Sequence, residues 1–317
     1  MSNRKYQLHT STGRWQLGLC LSLIVAFLWG ILPIALKSLL DRMDAYTIAC
    51  YRFLIAGILL SIFVISRKRL PAASKLRGPV LWLFVIAIIM LCSNYVTYGL
   101  GLDYLSPSTA TIVMQLMPIF LLLGSFIIFK ESFSLRQWSG FAVLILGLVL
   151  FFNDRLVELL SSLDNYTVGV LLVVAASLFW AIYAMAQKQL LRTFATQIVL
   201  LIIYIACGLL LLPFANLTQV MQLNNNQLLL LVFCGLNTMI AYGCLVEALN
   251  HWEASRISMV LATTPLITII SVKCCAIMFP DFVSPEQLNA PSILGAVLVV
   301  VGSALSALSR VGSKKSI

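Results

Sequence analysis

The stretch "WGILPIALKSLL", Trp29–Leu40, is nearly repeated by "WAIYAMAQKQLL", Trp180–Leu191. Tryptophan, isoleucine, alanine, lysine and the closing leucine pair fall at the same places in both. The correspondence extends outward. Tyr95 pairs with Tyr242. "LSPSTATIVMQLMP" (Leu105–Pro118) pairs with "WEASRISMVLATTP" (Trp252–Pro265), matching Ser108 to Ser255, Val113 to Val260 and Pro118 to Pro265. "GFAVLILG" (Gly140–Gly147) pairs with "GAVLVVVG" (Gly295–Gly302). The register drifts only at expected loops, so the chain reads as two copies of one unit.

The solvent of that unit follows from composition. Of 317 residues, 61% are hydrophobic and 10% charged, with a mean hydropathy of +1.01. A soluble domain is usually ~45–50% apolar and ~25% charged. Ten apolar runs follow one another: Leu17–Leu36, Ala45–Ile65, Val80–Leu100, Leu105–Phe129, Trp138–Phe152, Thr167–Gln187, Thr196–Phe214, Leu228–Leu249, Ala254–Met278 and Ile293–Leu308. In lipid such runs must be helical, because a helix satisfies its own backbone hydrogen bonds. None alternates as a barrel strand does. The expected fold is an all-α integral membrane protein with ten transmembrane helices in two inverted five-helix repeats. Five is odd, so the second copy enters the bilayer upside down. The repeats cover residues 17–152 and 167–308, joined by an external linker at 153–166, with cytoplasmic tails at 1–16 and 309–317.

The net charge of +10 has a topological reading. With the N-terminus inside, the cytoplasmic side carries Arg4, Lys5, Arg14, Arg67, Lys68, Arg69, Lys75, Arg77, Lys130, Arg136, Lys188, Arg192, Arg256, Arg310, Lys314 and Lys315. The outer side carries only Lys37, Arg42, Arg155 and Lys273. This positive-inside bias puts both termini in the cytoplasm. It also accounts for the basic pI without nucleic acid, whose binding would need cations clustered on a soluble face. Arg4, Lys5 and Arg14 precede the first run as in a signal peptide, but that run exceeds a signal core, so it reads as a retained span. Short loops and tails suit a bacterial inner-membrane protein. The eight cysteines all sit in apolar runs and read as packing residues.

Two similar halves facing opposite sides of a bilayer can exchange conformations, turning an outward-open cavity into an inward-open one. That is a recurring architecture of secondary transporters, with the substrate held between repeats near mid-membrane. A bundle stabilised by duplication, with a receptor or scaffold role, is the competing reading. No P-loop, zinc signature or nucleophile beside a base points to ATP-driven transport or an intramembrane enzyme. The expected partners are a small-molecule substrate and the lipid bilayer, with protons as the candidate coupling ion, no cofactor and no metal. Both a monomer and a homodimer fit.

Particular residues carry a family resemblance. "WG" stands at Trp29–Gly30 and "YRFLIAG" at Tyr51–Gly57; "SPSTATIVMQLMPIF" (Ser106–Phe120) is followed by "KES" at Lys130–Ser132 and by Gly140 and Gly147. The second half contributes "YGCLVEALNHWEASRISMVLATTPL", Tyr242–Leu266. Together these resemble the EamA-like transporters of the drug/metabolite transporter superfamily over nearly the whole chain. The resemblance implies movement of small metabolites, amino acids or drugs across the membrane, with export the expected direction. Two departures stand out. Glu131 has only Asp281 as its echo, and Arg52 has no counterpart in "IIYIACG", Ile202–Gly208.

Helical spacing picks out the candidate site. Ser108, Thr111, Gln115 and Pro118 share one helix face, repeated by Ser255, Ser258, Ala262 and Pro265. A polar cavity wall and close helix packing are both open readings. The prolines free carbonyls one turn earlier, which a substrate or cation could use. Trp29 and Trp180 occupy equivalent places; Asn94 with Tyr98, and Tyr183 with Gln187, lie one turn apart. With Thr111, Gln115 and Tyr242 they form the expected substrate-binding set, against a reading of anchoring and packing. Arg52 reads as a cation that snorkels to the outer surface. Glu247, with Asn250 and His251 on its face, is the proton-coupling candidate or a ligand for a substrate ammonium. A structural carboxylate paired with Arg256 or Arg192 is the alternative.

Overall fold

A computed structural model describes residues 14–67, 77–129, 134–279, 286 and 288–307. The tail cations Arg4, Lys5, Arg310, Lys314 and Lys315, the loop residues Lys68, Arg69, Lys75, Lys130 and Glu131, and Asp281 lie outside these residues.

The described residues form α-helices and short 3₁₀ turns, with no strand among them. The helices are α1 (Trp15–Leu40), α2 (Ala45–Ser66), α3 (Pro79–Tyr104), α4 (Pro107–Val113), α5 (Met117–Phe129), α6 (Leu135–Phe151), α7 (Leu156–Ser161), α8 (Asn165–Leu190), α9 (Thr196–Leu211), α10 (Asn225–His251), α11 (Ala254–Leu261), α12 (Thr264–Met278) and α13 (Ala290–Ala307). Among the described residues, seven helical stretches are long and apolar enough to cross a membrane: Trp15–Leu40, Ala45–Ser66, Pro79–Tyr104, Asn165–Leu190, Thr196–Phe214, Asn225–His251 and Arg256–Met278. The shorter apolar helices are Pro107–Leu121, Leu135–Phe151 and Ala290–Ser306.

Several helices begin before the apolar run does, because a first turn is set by capping and not by hydropathy. Ser134 caps α6 and Asn224 caps α10, each in a capping box with the glutamine three residues on. Asp44 and Asp164 cap α2 and α8 by accepting the N–H of Thr47 and Thr167 at 2.9 and 2.8 Å. Large apolar side chains face outward at mid-helix, among them Phe27 at 54% exposed and Ile58 at 59%. Water would penalise that surface; lipid does not.

The fourth and ninth apolar runs are not single helices. One breaks into α4, a 3₁₀ turn at Met114–Leu116, and α5; the other into α11, a turn at Ala262–Thr263, and α12. Pro118 and Pro265 cause both breaks, since each removes an N–H and crowds the carbonyl four residues back. Those carbonyls are not left for a substrate or cation, contrary to the expectation. Met114 accepts from the Met117 N–H. Leu261 accepts from the Thr264 hydroxyl at 2.6 Å.

The most extensive packing joins α6 to α13, α3 to α8, α1 to α10 and α2 to α9. In the α6–α13 pair, the Gly140 end lies against Gly302 and Ser306, and the Gly147 end against Gly295 and Val299. The two helices are therefore antiparallel and in backbone contact. A Cβ on Gly147 would stand 2.5 Å from the Val299 nitrogen, so only glycine fits. The α2–α9 pair is antiparallel too, with Gly57 on Ile205 and Gly208 on Leu54. Among the described residues, two buried apolar clusters fill the bundle. One gathers Phe53, Phe84, Leu91, Tyr183 and Tyr204. The other gathers Leu39, Leu102, Ile112, Leu144, Leu231 and Val299.

Candidate functional site

A central cavity of about 360 Å³ lies where the halves meet, lined from α1, α2, α3, the α4–α5 break, α8, α10, the α11–α12 break and α13. Its floor and walls are mostly aromatic and aliphatic, with Trp29, Leu32, Met114, Leu121, Trp180 and Leu261. This size and mixture suit a small organic solute, since such sites pair an apolar lining with a few fixed polar groups.

The aromatic residues meet at Tyr242. The Trp29 ring packs edge-on against it at 5.7 Å between centroids, and the Trp180 indole N–H donates to its hydroxyl at 3.4 Å. Both tryptophans line the cavity. Asn94, Tyr98, Thr111, Gln115 and Tyr242 line it as well. Several of these polar groups are already committed to the fold. The Asn94 amide N–H donates to the Ala176 carbonyl at 2.9 Å, tying α3 to α8. Gln115 accepts from the Ser303 hydroxyl at 2.9 Å, which supplies the partner a buried amide needs in lipid. Thr111 donates back to Pro107 at 2.7 Å.

The proposed polar face is divided. Thr111, Gln115, Pro118, Ser258 and Ala262 reach the cavity, while Ser108 is fully buried away from it. Thr264, not Pro265, faces it in the second half. Tyr183 lies wholly buried behind the wall, its hydroxyl without a partner among the described residues, and Gln187 is outside the lining. Glu247 is also outside it. Its carboxylate stands exposed near the end of α10, 3.1 Å from His251 Nε2 and 3.2 Å from the Asn250 amide. Arg256 pairs with Glu253 instead.

Arg52 overturns its expectation. It does not snorkel outward but turns into the bundle, only 6% exposed, and lines the cavity. Its Nε donates to Thr238 Oγ1 at 3.2 Å, and its guanidinium covers the Tyr95 ring at 4.3 Å from the centroid. Thr238 and Asn237 were not singled out in the sequence. Asn237 donates to the Leu28 carbonyl at 2.7 Å, tying α10 to α1 much as Asn94 ties α3 to α8. The signal for both was a polar pair inside a long apolar run. Among the described residues no cluster of His, Cys, Asp and Glu could hold a metal ion.

Helices that cross a membrane, broken at mid-run around a solute-sized cavity, define a multi-pass membrane protein of the transporter class. The chain belongs to the EamA-like transporter family, which matches it twice, over residues 16–153 and 167–308. It is 41% identical over 295 residues to an uncharacterized transporter of Haemophilus influenzae, covering 93% of this chain and 95% of that one. It is 39% identical over 296 residues to the uncharacterized inner membrane transporter YhbE of Escherichia coli, covering 93% and 92%. A solved crystal structure shares the fold at a TM-score of 0.63, with 18% identity over 92% of this chain and 97% of that one.

Proposed function

We propose that this membrane transporter is a secondary active carrier that exports a small organic metabolite, an amino acid or related compound, by alternating access. In this reading ten transmembrane helices form two inverted repeats, at 17–152 and 167–308, in the inner membrane with both termini cytoplasmic. The observation that carries it is the cavity at the meeting of the halves, flanked by one proline-broken run from each. Discontinuous helices around a midplane site are what such carriers use. Support for inversion comes from equivalent helices that run antiparallel, α2 beside α9 and α6 beside α13.

Among the described residues no carboxylate lines the cavity. Proton coupling then falls to an acidic group on the substrate or to Glu247, which stands outside the cavity near the end of α10. Flux in proteoliposomes, measured for a metabolite panel with and without a pH gradient, tests the proposal. Uptake or efflux of at least one solute is expected. No flux for any solute favours the receptor or scaffold reading. Orientation is tested separately with an impermeant thiol reagent on a cysteine-free background: a cysteine at Asn225 reacts from outside and one at Ser74 does not.

A further inference from the structure

We infer that Arg52 is the substrate-charge receptor of the central cavity, so that the solute is a monoanionic carboxylate on an apolar body. The inference rests on the cavity being the transport site.

Arginine cannot shed its charge in a protein, unlike a buried lysine or carboxylate. A cation near the centre of a membrane helix costs ~2.5–3.5 kcal/mol on insertion scales, and more when unpaired. Such residues therefore meet an anion somewhere in their working cycle. Arg52 lies about 10 Å into α2 at ~1.5 Å per residue, and its side chain is buried in the bundle. Among the described residues no carboxylate stands within ion-pair distance of it. The Tyr95 face offsets part of the cost. One donor, Nε, is used on Thr238. No protein acceptor among the described residues engages the two Nη groups, and the side chain borders the cavity. This leaves a planar fork of N–H donors, held at its back edge and shaped for bidentate binding of a carboxylate.

The rest of the cavity sets the body and excludes other charges. No Asp, Glu, His, Lys or second Arg of the described residues lines it. A cationic solute would face Arg52 with no counter-charge. A neutral solute would leave the guanidinium unpaired. The walls of Trp29, Met114, Leu121 and Trp180 cover an aromatic or branched aliphatic body, and about 360 Å³ admits one of roughly amino-acid size.

Three probes with one body separate charge from shape: 3-phenylpropanoate, its neutral amide, and 3-phenylpropylamine. Binding to the full chain in nanodiscs is measured by quenching of tryptophan fluorescence and by thermal shift, and flux in proteoliposomes in parallel. The carboxylate is expected to bind at least about tenfold tighter than the amide, the factor ~1.4 kcal/mol supplies, with no saturable binding of the amine. Arg52→Gln is expected to bring carboxylate and amide to equal affinity, and Arg52→Lys to keep part of the preference. If Arg52→Gln does not fold, the three-charge comparison on the wild type and Arg52→Lys decides. Equal binding of amide and carboxylate, tighter binding of the amine, an unchanged preference in Arg52→Gln, or no binding of the carboxylate at millimolar concentration each overturns the inference. Carboxylate binding without flux of any solute leaves the anion site standing and removes the transport reading. Flux without charge preference does the reverse.

Discussion

The Arg52 guanidinium lies over the Tyr95 ring, 4.3 Å from its centroid, bridging α2 and α3 at the cavity wall. Tyr95 in turn stacks on Phe53, one residue along from Arg52, with 4.4 Å between centroids. The ring thus gives the cation a π face while Thr238 fixes its Nε. Tyr95→Phe keeps the face and is expected to hold carboxylate affinity within about twofold. Tyr95→Leu removes it and is expected to cost about 0.5–2 kcal/mol. Fluorescence titration of both variants checks this; equal affinities would show that the ring does not position Arg52.

The α6–α13 contact makes a prediction that separates two glycines of the same chain. Gly147 faces the Val299 backbone, whereas a Cβ on Gly243 meets nothing within 4 Å. Gly147→Ala is expected to destabilise by about 1–3 kcal/mol through overpacking against a backbone that cannot move aside. Gly243→Ala is expected to be neutral or to stabilise by up to about 1 kcal/mol, the helix-propensity gain. Thermal unfolding followed by fluorescence-detected gel filtration reads both, and a Gly147→Ala protein as stable as wild type contradicts the packing.

At the second break, the Thr264 hydroxyl takes the Leu261 carbonyl that Pro265 leaves without an N–H. Thr264→Val alone is expected to lose about 1–3 kcal/mol, since the Leu261 carbonyl loses its hydrogen-bond donor inside the bundle. Pro265→Ala restores an N–H that can reach the same oxygen, so the double variant should cost less than the two changes added. A double-mutant cycle on melting temperature measures this coupling. Strict additivity would mean that the hydroxyl is not what satisfies Leu261.

Glu247 stands 56% exposed beside His251 and Asn250, away from the cavity. Glu247→Gln keeps the shape and removes the charge. Transport rate and its pH profile are expected to match wild type within about twofold, because an exposed carboxylate in high dielectric contributes little. A lost or shifted pH dependence in proteoliposomes would return Glu247 to the coupling path.

The contrast between Glu247 and Arg52 marks what sequence reasoning could reach. Both were charges in apolar runs. The sequence leaves Glu247 open between a transport role and a structural pairing and reads Arg52 as snorkelling; the structure puts Arg52 against the cavity and Glu247 outside it. Depth along a helix follows from numbering, but the direction a side chain faces depends on how the helix is rotated against its neighbours. Tyr183 and Gln187 missed the cavity for the same reason, one turn apart on a helix whose lining residue is Trp180.

The sequence by itself determined the solvent, the helical class, the likeness of the two halves and the family. These depend on composition, on periodicity and on the order of short motifs, all local properties of the chain. Tertiary structure alone decided that Asn94 and Gln115 serve helix contacts as well as the cavity, that the Gly140–Gly147 and Gly295–Gly302 segments meet backbone to backbone, and that Arg52 faces inward without a carboxylate partner among the described residues. Each is a relation between residues far apart in the chain. It is set by which helix faces pack most closely, and no single segment carries that information.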